Sequence, residues 1–141
     1  MNRQIKFRVW HILFGPKGPM QGMVHGKASS ILALAEMSPD EYIVEQYTGL
    51  KDANGKEIYE GDILTWHSNI YRKHDWAGFV LYRGAGFVVQ DDPKEFSTST
   101  WLEVACSKDA NIVEIVGNIH KNPELLEADK WPRNHTQNAN N

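Results

Sequence analysis

Asp52-Ala53-Asn54-Gly55-Lys56-Glu57-Ile58-Tyr59-Glu60-Gly61-Asp62-Ile63-Leu64-Thr65-Trp66 is the stretch whose reading decides the fold. It holds two turn signals with a short extended run between them. Asn54-Gly55 favours the tight turn whose twist matches adjoining strands, because both residues tolerate φ > 0. Ile58-Tyr59 resumes an extended chain, Glu60-Gly61-Asp62 breaks it, and Ile63 to Trp66 starts a new strand. Strand-sized runs joined by glycine turns at such short spacing describe a small twisted antiparallel sheet or an open barrel.

Upstream, Glu41 to Thr48 reads as a strand, with Tyr42, Val44 and Gln46 on one face and Ile43, Glu45 and Tyr47 on the other. Gln4 to Trp10 is a half-buried strand, since Ile5, Phe7 and Val9 alternate with Lys6, Arg8 and Trp10 and successive strand side chains point to opposite faces. Gly15-Pro16-Lys17-Gly18-Pro19 interrupts regular structure, and Met20 to Val24 follows as a hairpin partner. Ser29 to Met37 predicts a short helix capped by Ser29 or Ser30 and ended by Ser38-Pro39-Asp40. A buried strand is the alternative for so short an apolar run.

Downstream, residues 67–75 read as a polar loop. Phe79 to Tyr82 and Phe87 to Gln90 form a hairpin around Arg83-Gly84-Ala85, and 91–100 is loop-like. Trp101 to Cys106 fits a strand or one helical turn. Ile112 to Val116 is a strand that Gly117-Asn118 bends into Ile119-His120. Asn122 is the expected cap of a short helix with Pro123 in its first position. The predicted class is thus mainly β (α+β), a twisted antiparallel sheet or small barrel with short helices. Residues 1–50 form an N-terminal β region with a possible short helix, 51–127 a barrel-like region with a short C-terminal helix, and 128–141 a polar tail. That tail has nothing to bury and is expected to be disordered unless a partner chain holds it.

Composition narrows the function classes. The chain has 141 residues, 15 Lys+Arg against 18 Asp+Glu, and a formal charge of −3. Bulk charge therefore gives no support for binding a nucleic-acid backbone. A lone cysteine, Cys106, excludes an intramolecular disulfide and a cysteine-rich zinc module. No apolar run approaches the roughly 20 residues needed to span a bilayer, and the first ten residues lack the apolar stretch of a signal peptide. The expectation is a soluble, intracellular, cytoplasmic globular protein. Charge is uneven: residues 1–35 hold five basic residues and no acid, and residues 36–62 hold eight acids against Lys51 and Lys56. Pairing of the two segments within one fold accounts for this more simply than a basic edge built for an acidic partner.

Three stretches carry a family resemblance: Ile5-Lys6-Phe7-Arg8-Val9-Trp10, the run from Gln46 to Leu64, and Glu114-Ile115-Val116-Gly117-Asn118-Ile119-His120-Lys121-Asn122-Pro123-Glu124-Leu125-Leu126. Together they resemble the YopX family of bacteriophage and prophage proteins. The resemblance implies phage or prophage origin, an all-β or α+β chain and assembly into a homo-oligomer. It transfers no catalytic residue. Glu60-Gly61-Asp62 followed by an apolar strand also resembles the turn into SH3-like small barrels, which would make 62–66, 76–83, 86–90 and 112–117 barrel strands. Small barrels bind proteins, peptides or nucleic acids, so the fold alone chooses none of them.

Reactive chemistry finds little footing. Reading Asp52 to Lys56 as a calcium loop with Gly55 at its sixth position puts Leu50 first and Gly61 twelfth, where oxygen ligands are needed. His67 and His74, with Asp75 beside them, sit in the polar loop; a small metal-dependent hydrolase would be built around His67, His74 and Asp62. Cys106 has no base or orienting group nearby in sequence. No phosphate loop is present. No cofactor is implied.

Aromatic residues give the best binding hint. Exposed Trp and Tyr on a sheet stack the bases of single strands or anchor a protein interface. Trp66, Tyr71, Arg72, Lys73 and Trp76 make the candidate surface for single-stranded nucleic acid. Arg3, Lys6, Arg8 and Trp10 are the candidates for contact between subunits, on the view that the N-terminal strand is an exposed edge that pairs readily. The leading expectation is a non-enzymatic homo-oligomer with a host or phage protein as a further partner and no membrane partner. The single-strand binder is the alternative.

Overall fold

The computed structural model describes residues 4–13, 20–68, 75–90, 99–106 and 111–126. The protein is mainly β, with two antiparallel sheets, one of them curled as a half-barrel. The chain divides into two compact units, Met1–Gly49 and Leu50–Asn141.

The first unit contains β1 (Phe7–Leu13), β2 (Met20–His25), helix α1 (Ala28–Met37) and most of β3 (Tyr42–Lys51). Its strand order is β2-β1-β3, with Val9 opposite Val24 on one side and Val44 on the other. The strand itself and the hairpin partnership of β2 follow the sequence reading; the half-buried alternation is corrected, because Arg8, Val9 and Trp10 are all buried and Ile5 is exposed. The position of β1 does not: it is an interior strand paired along both sides, so the expected exposed edge is corrected. Periodicity reveals which face a side chain takes, but not which strands flank it.

Helix α1 also departs from its expected start. Lys27 is its N-cap, with no side-chain capping bond, and Ser29 and Ser30 sit exposed in the first turn. The Ile31 amide donates to the Lys27 carbonyl at 3.0 Å, which sets the helix two residues earlier than a serine cap would. Ile31 is fully buried and anchors the helix. The Ser38 amide closes the last turn on the Leu34 carbonyl (3.1 Å) just before Pro39, which cannot donate.

The second unit holds β4 (Glu57–Tyr59), β5 (Asp62–Ser68), β6 (Asp75–Arg83), β7 (Gly86–Gln90), β8 (Ser99–Trp101), α2 (Leu102–Ala105), β9 (Asn111–Asn118) and a 3₁₀ turn (Pro123–Leu126). Five strands make one antiparallel sheet in the order β8-β7-β6-β5-β9. The four expected barrel strands are all in it. β5 and β6 run further than their apolar cores, so the expected loop over 67–75 is shortened at both ends; residues 69–74 lie outside the described residues. The stretch from Trp101 to Cys106 combines both alternatives, ending a strand and making one helical turn.

Ile58, Leu64, Val80, Val89, Leu102, Ala105 and Val113 form the core of this unit, with Leu50, Phe87, Cys106 and Ile115 packed against it. Val80 and Val89 face each other across β6 and β7, as Leu64 and Ile115 do across β5 and β9. Fully burying each large aliphatic side chain contributes about 1.5–3 kcal/mol.

Candidate functional site: turn cluster and interaction surfaces

Asp52 is a heavily used polar residue of the second unit. Its carboxylate is 7% exposed. Oδ1 accepts hydrogen bonds from the amides of Asn54 and Lys56, each 2.9 Å, and Oδ2 accepts from the Ile115 amide of β9 at 3.0 Å. The backbone closes the same turn, with the Asp52 amide on the Lys56 carbonyl (2.8 Å) and the Gly55 amide on the Asp52 carbonyl (3.0 Å). The Ala53 amide adds a bond to the Val113 carbonyl at 2.8 Å, and Asn54 Nδ2 reaches Glu114 Oε2 at 3.3 Å. The predicted turn therefore does more than reverse the chain. It lies along the outer side of β9, where an edge strand would otherwise present open donors and acceptors.

The second turn follows the same logic. Asp62 is 3% exposed, and its Oδ2 accepts from the Tyr59 amide at 2.8 Å. Gly61, at φ 87°, takes the left-handed conformation that a side chain disfavours. Its amide donates to the Val80 carbonyl (2.8 Å) and its carbonyl accepts from the Ile119 amide (2.9 Å), tying β6 to the end of β9. Asn118 Oδ1 accepts from the amides of His120 and Lys121, each 2.9 Å. Asn122 stands at the expected cap position directly before the 3₁₀ turn, where its carbonyl accepts from the Leu125 amide (3.0 Å), while its side-chain Oδ1 reaches back to accept from the Asn118 amide at 3.2 Å.

Cys106 is half-buried and near enough to Asp52 to feel its charge. Burial first, and the Asp52 charge second, push its thiol up to about 11. The reactive species is the thiolate, so this side chain stays a thiol at neutral pH.

The residues singled out from the sequence are dispersed. Trp66 and Trp76 stand directly opposite each other on β5 and β6; Tyr71, Arg72 and Lys73 lie outside the described residues. His67 stands opposite Asp75, His74 lies outside the described residues, and Asp62 is held in its own turn. Among the described residues there is no group of three or more His, Cys, Asp or Glu that could hold a metal ion.

At the N-terminus, Arg3 lies outside the described residues. Lys6 places its ammonium 5.7 Å from the centroid of the Tyr47 ring. Arg8 Nε donates to Glu45 Oε1 at 2.8 Å with both side chains under a tenth exposed. Trp10, 4% exposed, donates from Nε1 to Gln21 Oε1 at 3.0 Å. Arg8 and Trp10 are thus engaged within their own unit, and the Arg8–Glu45 pair is an instance of the basic and acidic segments meeting inside one fold. Exposed rings occur elsewhere. Tyr82 is 53% exposed and edge-on to Phe87, and Trp101 is 55% exposed with its ring lying against Gly86.

Fold and turns together define a class of chain: mainly β, in two units, with acidic and amide side chains spent on capping backbone at the ends of the strands. A family model described as YopX protein matches residues 21–127. The chain belongs to the YopX family. A search of the curated proteins gives no match. Among solved structures, the crystal structure of protein EF1440 from Enterococcus faecalis is similar. It is 26% identical, with a TM-score of 0.51, over 89% of this chain and 100% of that one. No described helix is long and apolar enough to cross a membrane.

Proposed function

We propose that this protein is a non-enzymatic phage or prophage accessory protein that works in the cytoplasm of the bacterial host as a self-associating binding or assembly module. The observation that carries this reading is the use made of the family stretch around Asp52. Its carboxylate is spent on three backbone amides, and the thiol beside it is held protonated. The conspicuous ionisable groups of the second unit build turns, which leaves surfaces to do the work. Light scattering or native mass spectrometry at low and high salt tests it. The expected result is a defined oligomer; a strict monomer at working concentration removes the reading.

One observation favours a second reading, a binder of single-stranded nucleic acid. Trp66 and Trp76 are paired in register on β5 and β6, and tryptophan is a residue type on which the bases of single strands stack. Oligonucleotides would then quench tryptophan fluorescence, with an effect that weakens steeply as salt rises. Absence of quenching at low salt rejects it.

A further inference from the structure

We propose that the outer rim of β2 is where two copies of this chain join, antiparallel and two-fold, with Met23 of one copy opposite Met23 of the other. This deepens the self-association reading and rests on it.

Hydrogen bonding fixes which way β2 points its backbone. The Ile12 amide donates to the Glu41 carbonyl (2.8 Å), and the Tyr47 amide to the Lys6 carbonyl (2.9 Å). Lys6 and Ile12 therefore aim their backbone groups at the β3 side, and by alternation so do Arg8 and Trp10. Val9, His11 and Leu13 aim theirs at β2, where they face Val24, Gly22 and Met20. Met23 lies between, so its N–H and C=O point away from β1, at the end of the sheet order.

Among the described residues, both edges of the five-stranded sheet are blunted, and β2 stands at the end of its own sheet order. β9 has the Asp52 turn bonded along it, through Val113 and Ile115. β8 is three residues long and turns directly into α2. β2 has six residues, Met20-Gln21-Gly22-Met23-Val24-His25, with no Lys, Arg, Asp, Glu or Pro. Charges and proline are the usual guards of an edge strand.

Two features select a second copy as the occupant. A strand without Lys, Arg, Asp or Glu meets its own copy with no such like charges opposed. The two-fold register also places Gly22 of each copy opposite Val24 of the other, on one face. Among the described residues, nothing lies within 4 Å of where a Cβ on Gly22 would sit, and Val24 is 36% exposed. The isopropyl group of each copy enters the space left by the glycine of the other, twice, as an isologous interface requires.

The test uses the full chain. Met23→Pro removes the outward N–H, which β1 does not use, and Val24→Lys puts a charge at the crossing. Sedimentation equilibrium, with circular dichroism as the folding check, is expected to show a wild-type dimer. Each variant should weaken it by at least about tenfold in dissociation constant, from hydrogen bonds lost in both copies. Met23→Cys is expected to give an intermolecular cross-link with a short thiol-to-thiol bifunctional reagent, located by peptide mass mapping, because a hydrogen-bonded antiparallel pair holds its Cβ atoms about 5.5 Å apart, wider than a relaxed disulfide and within the reagent's reach. Should Met23→Pro fail to fold, Val24→Lys and the cross-link decide. A wild-type oligomer that neither variant weakens and the thiols do not cross-link overturns the β2 assignment and leaves self-association standing. A wild-type monomer overturns both.

Discussion

Replacing Asp52 by alanine removes three hydrogen-bond acceptors at once. Each bond from a backbone amide to a charged acceptor is worth about 1.5–3 kcal/mol net. The three do not add fully, because they share one carboxylate. Asn54 and Lys56 are exposed, so water can replace the carboxylate at their amides. The Ile115 amide lies on a half-buried strand, and Asp52 is 7% exposed. The expected loss is therefore about 3–4 kcal/mol, dominated by the Ile115 amide and the loosened turn. Asp52→Asn should cost about 2 kcal/mol: one oxygen still serves the turn, while the new NH2 group opposes the Ile115 N–H. Against a total stability of about 5–15 kcal/mol, both are large. Urea unfolding followed by far-ultraviolet circular dichroism, with the denaturant slope held in common, measures them. Hydrogen exchange at the Ile115 amide locates the change. A loss under about 1 kcal/mol for the alanine variant would refute the assignment of the carboxylate as a structural pin.

Three other outcomes follow from the geometry. Arg8→Ala leaves the Glu45 charge buried and should destabilise by about 3–5 kcal/mol, while the double change Arg8→Met with Glu45→Leu should recover most of it; thermal unfolding of the wild type, Arg8→Met, Glu45→Leu and the double variant reads the coupling. The Cys106 thiol should react with an aromatic disulfide reagent at pH 8 about a hundredfold more slowly than an ordinary thiol, in line with its smaller thiolate fraction. Its raised folded-state value (about 11 against 9.0) means the unfolded chain ionises first. Stability contributed by this group is complete below pH 9 and falls as pH rises toward 11, and Cys106→Ser should lack that fall. Gly78→Ala should cost about 1–3 kcal/mol by chemical denaturation, since its Cβ would lie 2.8 Å from the Gln90 carbonyl oxygen, a backbone atom that cannot step aside.

Local chemistry was legible where the interacting residues are close in sequence. Asn54-Gly55 and Gly61 announce turns, and both glycines sit at positive φ, 83° and 87°. The alternation of Ile5 to Trp10 announces a strand. What was not legible depends on distant partners. The Asp52 carboxylate finds Ile115 63 residues away, so its spacing before Asn-Gly hinted at a turn but not at a bond to β9. Strand order is likewise non-local: β1 reads as a plausible edge until β2 and β3 take its two sides. Burial of Arg8 and Trp10 follows from that placement, because their partners Glu45 and Gln21 sit on the flanking strands. The helix start shifted for a smaller reason. Two serines offered caps, and the backbone bond from Ile31 to Lys27 prevailed.

The turn laid along β9 also sets a limit on growth. A ribbon lengthens sideways only if every added unit brings one rim to dock and another to receive the next. With the β9 rim of the five-stranded sheet already occupied by its own chain, that sheet has one side closed to any added strand and cannot run on past β9 into a fibre.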